Sequence, residues 1–146
     1  MKNYHTHTPR CHHAIGKEED YILNAMKAGY TELGFSDHAP WHYVSGYHPT
    51  MRMEESQIDD YVSTLLALKE KYKDQISIKI GFEAEYFPEM LDGMKQVLKD
   101  YPIDYLILGH HYNESDEYGE YYGFPQKDLT TVKTYVHQVL RAMDTG

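Results

Sequence analysis

The sequence predicts an α/β fold in which parallel β-strands alternate with α-helices. Short apolar runs alternate with amphipathic segments in the order βαβαβαβα. This order favours parallel pairing with right-handed crossovers, either in an open doubly wound sheet or in part of a βα barrel. A Gly-rich nucleotide-binding turn after the first strand would favour the open sheet, and the sequence has none. Potential metal ligands instead follow every predicted strand, as at the catalytic face of a barrel. A length of 146 residues suits a single domain, residues 1–146.

The first two βα units are predicted from apolar periodicity and turn signals. A strand from Asn3 to His7 precedes a helix from Lys17 to Lys27, whose apolar stripe is Tyr21, Ile22, Ala25 and Met26. Gly29 follows where a helix end favours a residue with positive φ. A second strand, Thr31 to Ser36, leads through a loop to a helix from Ser56 to Tyr72. The apolar face of that helix consists of Ile58, Tyr61, Val62, Leu65, Leu66 and Tyr72.

The last two units follow the same signals. A third strand begins with the alternating residues Ile76, Ile78 and Ile80 and continues to Glu85. The helix after it is marked by Met90, Leu91, Met94, Val97 and Leu98. A short apolar strand, Tyr105 to Leu108, leads through an acidic, tyrosine-rich loop to a helix from Leu129 to Met143. The predicted inner face of this last helix is Val132, Tyr135, Val136, Val139, Leu140 and Met143.

The charge balance limits the classes of partner. Fourteen basic and 23 acidic side chains give a net charge of -9, without a basic run interleaved with aromatics, which argues against a nucleic-acid-binding surface. A small phosphorylated ligand remains compatible, because bound divalent cations would reverse the sign of an acidic pocket. No apolar run approaches the roughly 20 residues of a membrane span, and no signal-peptide core is present, so we expect a cytoplasmic protein without a membrane partner.

Two histidines at the end of the first strand give the strongest local indication of a metal site. Residues i and i+2 of a strand point to the same side, so His5 and His7 can share one ion. The alternative is a pair of surface histidines on an exposed edge. Glu83 ends the third strand in the equivalent place, with Glu85 on the same face. A carboxylate beside histidines can bridge two ions, because each oxygen can bind one cation.

Spacing alone does not decide which residues of the segment after the first strand bind metal. Either His12 or His13 can turn back over the site. Cys11 can be a soft ligand, a partner of a ligand or, as is commoner for a free cysteine, a small buried apolar residue.

The second and fourth strands end in similar pairs. Of Asp37 and His38, one can bind metal while the other orients a neighbour. Only one of His110 and His111 should reach the site, because adjacent strand residues point to opposite sides. Three further histidines are less informative: His42 and His48 are loop residues that can touch substrate, and His137 is interpreted as helix surface.

Four segments resemble, in order, motifs of the PHP superfamily, and in particular of its histidinol-phosphatase branch. They are Tyr4 to His13, Ser36 to Pro40, Gly81 to Tyr86 and Leu106 to Tyr112. The resemblance covers nearly the whole chain. It implies a distorted seven-stranded βα barrel, of which this chain supplies about four βα units, and hydrolysis of L-histidinol phosphate to L-histidinol in histidine biosynthesis.

The resemblance also implies a ligand set for two or three divalent ions, which can be zinc, manganese or iron. His5 and His7 would hold the first ion, Glu83 would bridge the first and second, and His111 would add to the second. His13 and His38 would hold the third. Attack by metal-bound water is expected, with no protein nucleophile. Six other side chains are expected to support these ligands or to contact substrate: Arg10, His12, Asp37, His42, Glu85 and His110.

One departure from the family pattern affects all of these expectations. The sequence ends at Gly146, where family members continue to strands that carry another histidine and a late Asp-x-His motif. Each metal position would then lack one protein ligand, and four strands cannot close a barrel. We expect a single PHP-type domain that is incomplete at its C-terminus. It would pair as a homo-oligomer or with a complementing C-terminal half, and alone it would have weak or no activity.

Two alternatives remain open at this point. One is a PHP phosphoesterase with another phosphorylated substrate, including a nuclease-like member, which the acidic charge balance disfavours. The other is a catalytically incomplete domain that binds metal for folding or interaction.

Overall fold

A computed structural model describes residues 1–125 and 129–145 and contains one parallel sheet with the strand order β1-β2-β3-β4. Each strand is followed by a helix, so the alternating α/β order predicted from the sequence is confirmed. The strands are β1 (Lys2–Asn3), β2 (Glu32–His38), β3 (Ser77–Ala84) and β4 (Tyr105–Leu108). The helices are α1 (Glu18–Lys27), α2 (Ile58–Lys71), α3 (Leu91–Leu98) and α4 (Leu129–Met143). Short 3-10 turns occur at Pro9–Cys11 and Glu55–Gln57.

The hydrophobic core lies between the sheet and the helices. Because strand side chains alternate between two faces, Ile78, Ile80 and Phe82 all point towards the helices and are buried. They pack in one cluster with Tyr61 and Leu65 of α2. The sequence placed Leu66 on the same helix face, but this side chain is 40% exposed and lies at the margin of the core. Gly29 has φ 80°, which confirms the predicted end of α1.

The opposite face of the sheet carries small residues beneath the strand ends. The ring of Tyr105 lies across Gly34 of β2 and Gly81 of β3, where an added Cβ would come within 2.3 and 2.7 Å of the tyrosine atoms. The hydroxyl of Tyr105 donates a hydrogen bond to the Tyr4 carbonyl at 2.7 Å and lies 3.0 Å from the Phe35 carbonyl. A single side chain of β4 therefore reaches the segment that follows β1.

Two sequence-based expectations are corrected by the structure. β1 ends at Asn3, so His5 and His7 lie beyond the strand and not within it. The predicted inner face of α4 is largely exposed, with Leu140 at 57% and Met143 at 69%. Leu106 and Leu108 of β4 are also exposed, at 49% and 41%. The amphipathic pattern of α4 is real, but the ring contacts of Tyr135 with His110 and Tyr122 leave most of that face exposed. Among residues 1–125 and 129–145, no helix combines the length and apolarity needed to cross a bilayer.

Candidate metal centre

The segment after β1 brings two histidines to the carboxyl end of the sheet. His5 N–H donates to the Asn3 side chain at 3.1 Å, and the Thr6 carbonyl accepts from the Ser36 N–H at 2.8 Å. The segment therefore runs alongside β2 although it is not a regular strand. His5 and His7 converge as the i, i+2 spacing predicts, with their Nε2 atoms 3.1 Å apart.

Glu83, at the end of β3, lies at the centre of the cluster and is 3% exposed. Its Oε2 is 3.1 Å from His5 Nε2 and 3.2 Å from His7 Nε2. The same oxygen is 3.4 Å from His38 Nδ1, while Oε1 is 3.6 Å from His111 Nε2. One carboxylate therefore faces four imidazoles that come from three different strand ends.

These separations fit a metal centre. Two nitrogens on one tetrahedral zinc ion, each about 2.0–2.1 Å from the metal, lie roughly 3.3 Å apart. The nitrogen–oxygen and nitrogen–nitrogen distances around Glu83 bracket that value. Among the described residues, the Nδ1 atoms of His7 and His38 are buried without a hydrogen-bond partner. Because buried polar atoms are normally satisfied, an ion at His38 Nδ1 would complete an arrangement that the protein alone leaves open.

The protonation states are divided within the cluster. Burial raises the pKa of Glu83, but its hydrogen bonds with His7 and His5 contribute to an opposing effect that lowers the pKa to about 2. Burial lowers the pKa of His38 to about 3, so its imidazole is neutral and ready to bind a cation. Burial also lowers the pKa of His7, but the neighbouring Cys11 thiol and Glu83 carboxylate outweigh it and raise the pKa to about 9. Metal binding at His7 would therefore release a proton.

Ligand atoms form three groups within 4.8 Å of one another: His5, His7 and Glu83; His38, Glu83 and His111; and His7, Cys11 and His13. The first two groups share Glu83, as a bridging carboxylate would. His13 and His38, expected to share an ion, have ring centroids 5.3 Å apart but fall in different groups.

A tight turn carries His13 to the site. Thr8 caps the turn Pro9–Cys11, and His12 closes it with φ 64° while its N–H donates to the Pro9 carbonyl at 3.1 Å. His12 and His13 are both exposed. His13 lines the central cavity, whereas His12 is not among its lining residues.

Asp37 lies directly behind His7 and is fully buried. Its Oδ1 accepts from the Thr8 N–H at 2.6 Å and lies 3.6 Å from His7 Nδ1, and its Oδ2 accepts from the Thr8 hydroxyl. Burial raises the pKa of Asp37 to about 6, against the opposing effect of the Thr8 hydrogen bonds. Asp37 therefore fixes the backbone next to His7.

Glu85 holds His111 from the other side. Glu85 Oε1 lies 3.2 Å from His111 Nδ1, and this hydrogen bond raises the pKa of His111. Glu85 Oε2 accepts a hydrogen bond from Arg52, whose side chain is completely buried. Arg52 also donates to Asp116 at 2.9 Å. Sequence reasoning missed Arg52 and Asp116, because both lie in loops without periodicity.

The remaining candidates point elsewhere. Arg10 pairs with Glu18 and Asp60, the latter at 2.6 Å. His42 pairs with Glu55 at 3.2 Å and is mostly exposed. Three others have local roles: His110 accepts from the Tyr86 N–H at 3.3 Å and contacts Gln138, His48 pairs with Glu54, and His137 is an exposed residue of α4.

The cluster opens into a cavity of about 1110 Å³. Besides the candidate ligands, its wall is formed by Met51, Tyr112, Gly119, Glu120, Tyr121, Phe124, Pro125 and Thr131. Tyr121 stacks on His111, with 13° between the rings. No lysine or arginine among the residues that the structure describes lines this cavity.

Gly109 is a further residue that sequence reasoning missed. A Cβ at this position would lie 1.9 Å from Glu83 Oε1 and 2.5 Å from its Cγ. The glycine between β4 and the His110-His111 pair therefore permits the close approach of the central carboxylate.

Comparison with known proteins shows the family of the chain. Residues 3–144 match the model of the PHP domain family. Three curated relatives are the probable histidinol-phosphatases of Deinococcus radiodurans (32% identity over 74% of this chain) and Schizosaccharomyces pombe (35% over 75%), and the histidinol-phosphatase of Bacillus subtilis (31% over 77%). The chain spans only 41%, 38% and 44% of the length of these three relatives, respectively.

Two solved structures share the fold. A Listeria monocytogenes protein described as a histidinol phosphatase gives a TM-score of 0.73 at 24% identity, with 87% of this chain and 51% of that chain covered. A Lactococcus lactis histidinol phosphate phosphatase, solved with zinc, L-histidinol and phosphate, gives a TM-score of 0.67 at 23% identity, with 86% and 47% covered. The barrel-type fold expected from the sequence is confirmed, and this chain forms four of its βα units. The chain belongs to the PHP domain family.

Proposed function

We propose that this chain carries the metal-binding part of a phosphomonoesterase that hydrolyses L-histidinol phosphate. The observation that carries the proposal is the position of Glu83, whose two oxygens face His5 and His7 on one side and His111 on the other. A site built in this way suits two or three divalent ions, of which zinc, manganese and iron all accept imidazole and carboxylate ligands. The substrate is inferred from the names of the curated relatives, two of which are probable histidinol-phosphatases and one a histidinol-phosphatase.

The contacts of each residue indicate which ion it would bind. His5 and His7 would hold one ion with Glu83, and His38 and His111 would hold another with the same carboxylate. His13 would bind a third from the rim of the cavity, together with His7 or His38. Divalent ions bound there would supply the positive charge that attracts phosphate oxygens and would acidify a water for attack on phosphorus.

The wall of the cavity supports the same assignment. A phosphate monoester needs compensation for its negative charge, and no lysine or arginine among residues 1–125 and 129–145 lines the cavity. Bound divalent ions would supply that charge. Tyr121 and Phe124 form an aromatic surface against which an imidazole ring of the substrate can pack.

The exposed face of α4 supports a need for further polypeptide in the active enzyme. Val136, Leu140 and Met143 are each at least 48% exposed, and the chain spans 38% to 44% of its curated relatives. We propose that a complementing half or a second copy covers this face and adds the remaining ligands. Turnover by this chain alone should accordingly be weak.

Zinc content is the first test. After incubation with zinc and gel filtration, mass spectrometry should find two or three equivalents per chain. His13→Asn should lower this number, whereas His12→Asn should not, because the two residues are adjacent and exposed and only His13 lines the cavity. Asparagine is chosen because it tolerates the positive φ of His12. A wild-type chain that retains no zinc would overturn the proposal.

Substrate identity needs a second assay. Phosphate release should be measured from histidinol phosphate, from several other phosphomonoesters and from a single-stranded oligonucleotide. If turnover is too weak to compare substrates, calorimetry should measure zinc-dependent binding of histidinol and phosphate instead. Preference for another phosphomonoester or for the oligonucleotide would contradict the substrate assignment and leave the metal site intact.

A further inference from the structure

The side chain of Arg52 has no exposed surface, although it lies outside the ligand cluster. Its Nε donates to Asp116 at 2.9 Å, Nη1 donates to the Ala39 carbonyl at 3.1 Å, and Nη2 donates to Glu85. A buried charge is tolerated only when it is paired and hydrogen bonded. Arg52 meets this condition with two carboxylates and one carbonyl.

Glu85 divides its two oxygens between Arg52 and His111. Oε2 accepts from Arg52, and Oε1 lies 3.2 Å from His111 Nδ1. Because the Arg52 guanidinium holds Oε2, the other oxygen, Oε1, is left to face the imidazole. A carboxylate at Nδ1 keeps the proton on that nitrogen and leaves the lone pair of Nε2 free. An ion shared with Glu83 Oε1, 3.6 Å from Nε2, could then accept that lone pair.

Asp116 extends the same arrangement to the loop that carries His111. Its Oδ2 accepts from Arg52, its side chain also accepts from the Tyr43 hydroxyl, and its carbonyl lies 3.4 Å from the Tyr47 hydroxyl. Arg52 thus joins the loop after β2, the end of β3 and the loop after β4 within one buried network.

We propose that Arg52 is a positioning residue that acts through Glu85 to fix the orientation and tautomer of His111, and thereby sets how tightly the metal centre holds zinc. This inference rests on the proposed function, because it presupposes that His111 is a ligand. A purely structural role predicts something different: loss of Arg52 would lower stability without any specific effect on His111.

A double-mutant cycle separates the two roles. Zinc affinity is measured by competition with a chelating dye for wild type, Arg52→Met, His111→Ala and the double variant. Removing a group that orients a ligand typically weakens metal binding by about 10- to 100-fold. Arg52→Met should show this loss in the wild-type background and less than about threefold loss in the His111→Ala background. Equal losses in both backgrounds, or no loss at all, would overturn the proposal.

Three further variants complete the test. Lys69→Met removes a cation paired with Asp104 at 2.9 Å, away from the cavity, and should leave zinc affinity unchanged. Arg52→Lys should recover part of the affinity, since a lysine can pair with Glu85 but not also with Asp116 and the Ala39 carbonyl. If Arg52→Met does not fold, as judged by circular dichroism, Glu85→Gln replaces it in the cycle. That amide cannot accept from both neighbours, so it should produce the same background-dependent loss.

The tautomer of His111 gives a readout independent of activity. In wild type, imidazole ¹⁵N chemical shifts should place the proton of His111 on Nδ1, and Arg52→Met should give a mixture of tautomers. An unchanged tautomer would overturn the inference. A wild-type chain that shows the Nδ1 tautomer yet binds no zinc would instead overturn the proposed function, so the two failures are distinguishable.

Discussion

Gly109→Ala should disable the metal centre through a single added methyl group. The new Cβ would lie 1.9 Å from Glu83 Oε1 and 2.5 Å from its Cγ and Cδ, so the carboxylate has to retreat by about 1 Å or more. Glu83 is buried and its Oε2 already faces three imidazoles. Retreat therefore moves it away from His111, whereas metal ligation tolerates only about 0.2 Å.

The expected result is a loss of zinc affinity of at least about 100-fold, together with about 1–3 kcal/mol of destabilisation from overpacking. Chelator competition measures the first quantity and urea unfolding of the metal-free protein measures the second. Gly93→Ala is the matched control, because this glycine lies in α3 with no atom within 4 Å of its added Cβ. The control should retain zinc affinity and gain about 0.5–1 kcal/mol of stability from helix propensity. Wild-type zinc affinity in Gly109→Ala would refute the reasoning.

Three other outcomes are expected. The folded-state pKa of His38 is lowered from 6.5 to about 3, so its stabilising contribution is present above pH 6.5 and is lost as the pH falls towards 3. In urea titrations without metal, the free energy of unfolding of His38→Asn should therefore fall less steeply than that of wild type as the pH is lowered over this range. Equal slopes for the two proteins would contradict this. Tyr105→Phe removes the hydrogen bond to the Tyr4 carbonyl and should lower the free energy of unfolding by about 0.5–1.5 kcal/mol. An unchanged thermal unfolding transition would contradict this. Leu140→Lys, at an exposed position of α4, should change the stability of the isolated chain by less than about 0.5 kcal/mol, and it should weaken self-association or complementation measured by light scattering. A large loss of stability would mean that this face is already packed.

The sequence predicted those features that follow from regular geometry. Parallel strands bring their carboxyl ends to one edge, so His38, Glu83 and His111 could be expected to meet although up to 73 residues separate them. Helix periodicity predicted the buried residues of α2 for the same reason, since a repeating pattern reports which face is apolar.

Other features have no periodic signal. Arg52 and Asp116 meet between two loops, and the requirement for a glycine at position 109 depends on the rotamer of Glu83. The exposed face of α4 is a different case. Its amphipathic pattern predicts that the face packs against another element but does not identify that element. The grouping of His13 with His7 and Cys11 depends on a turn whose shape is set by Thr8 and by the positive φ of His12.

The position of Tyr105 has a consequence for access to the reaction centre. Its ring spans the inner side of β3 and β2 one layer below Glu83 and His38, over glycines that leave room for it. The ring therefore lies between these two candidate ligands and the amino-terminal end of the sheet. At the opposite end the cluster opens into the cavity whose wall includes Met51 and Tyr121. A side chain added at either glycine would displace the ring and loosen this boundary, whereas substitutions of the two wall residues would change only the cavity.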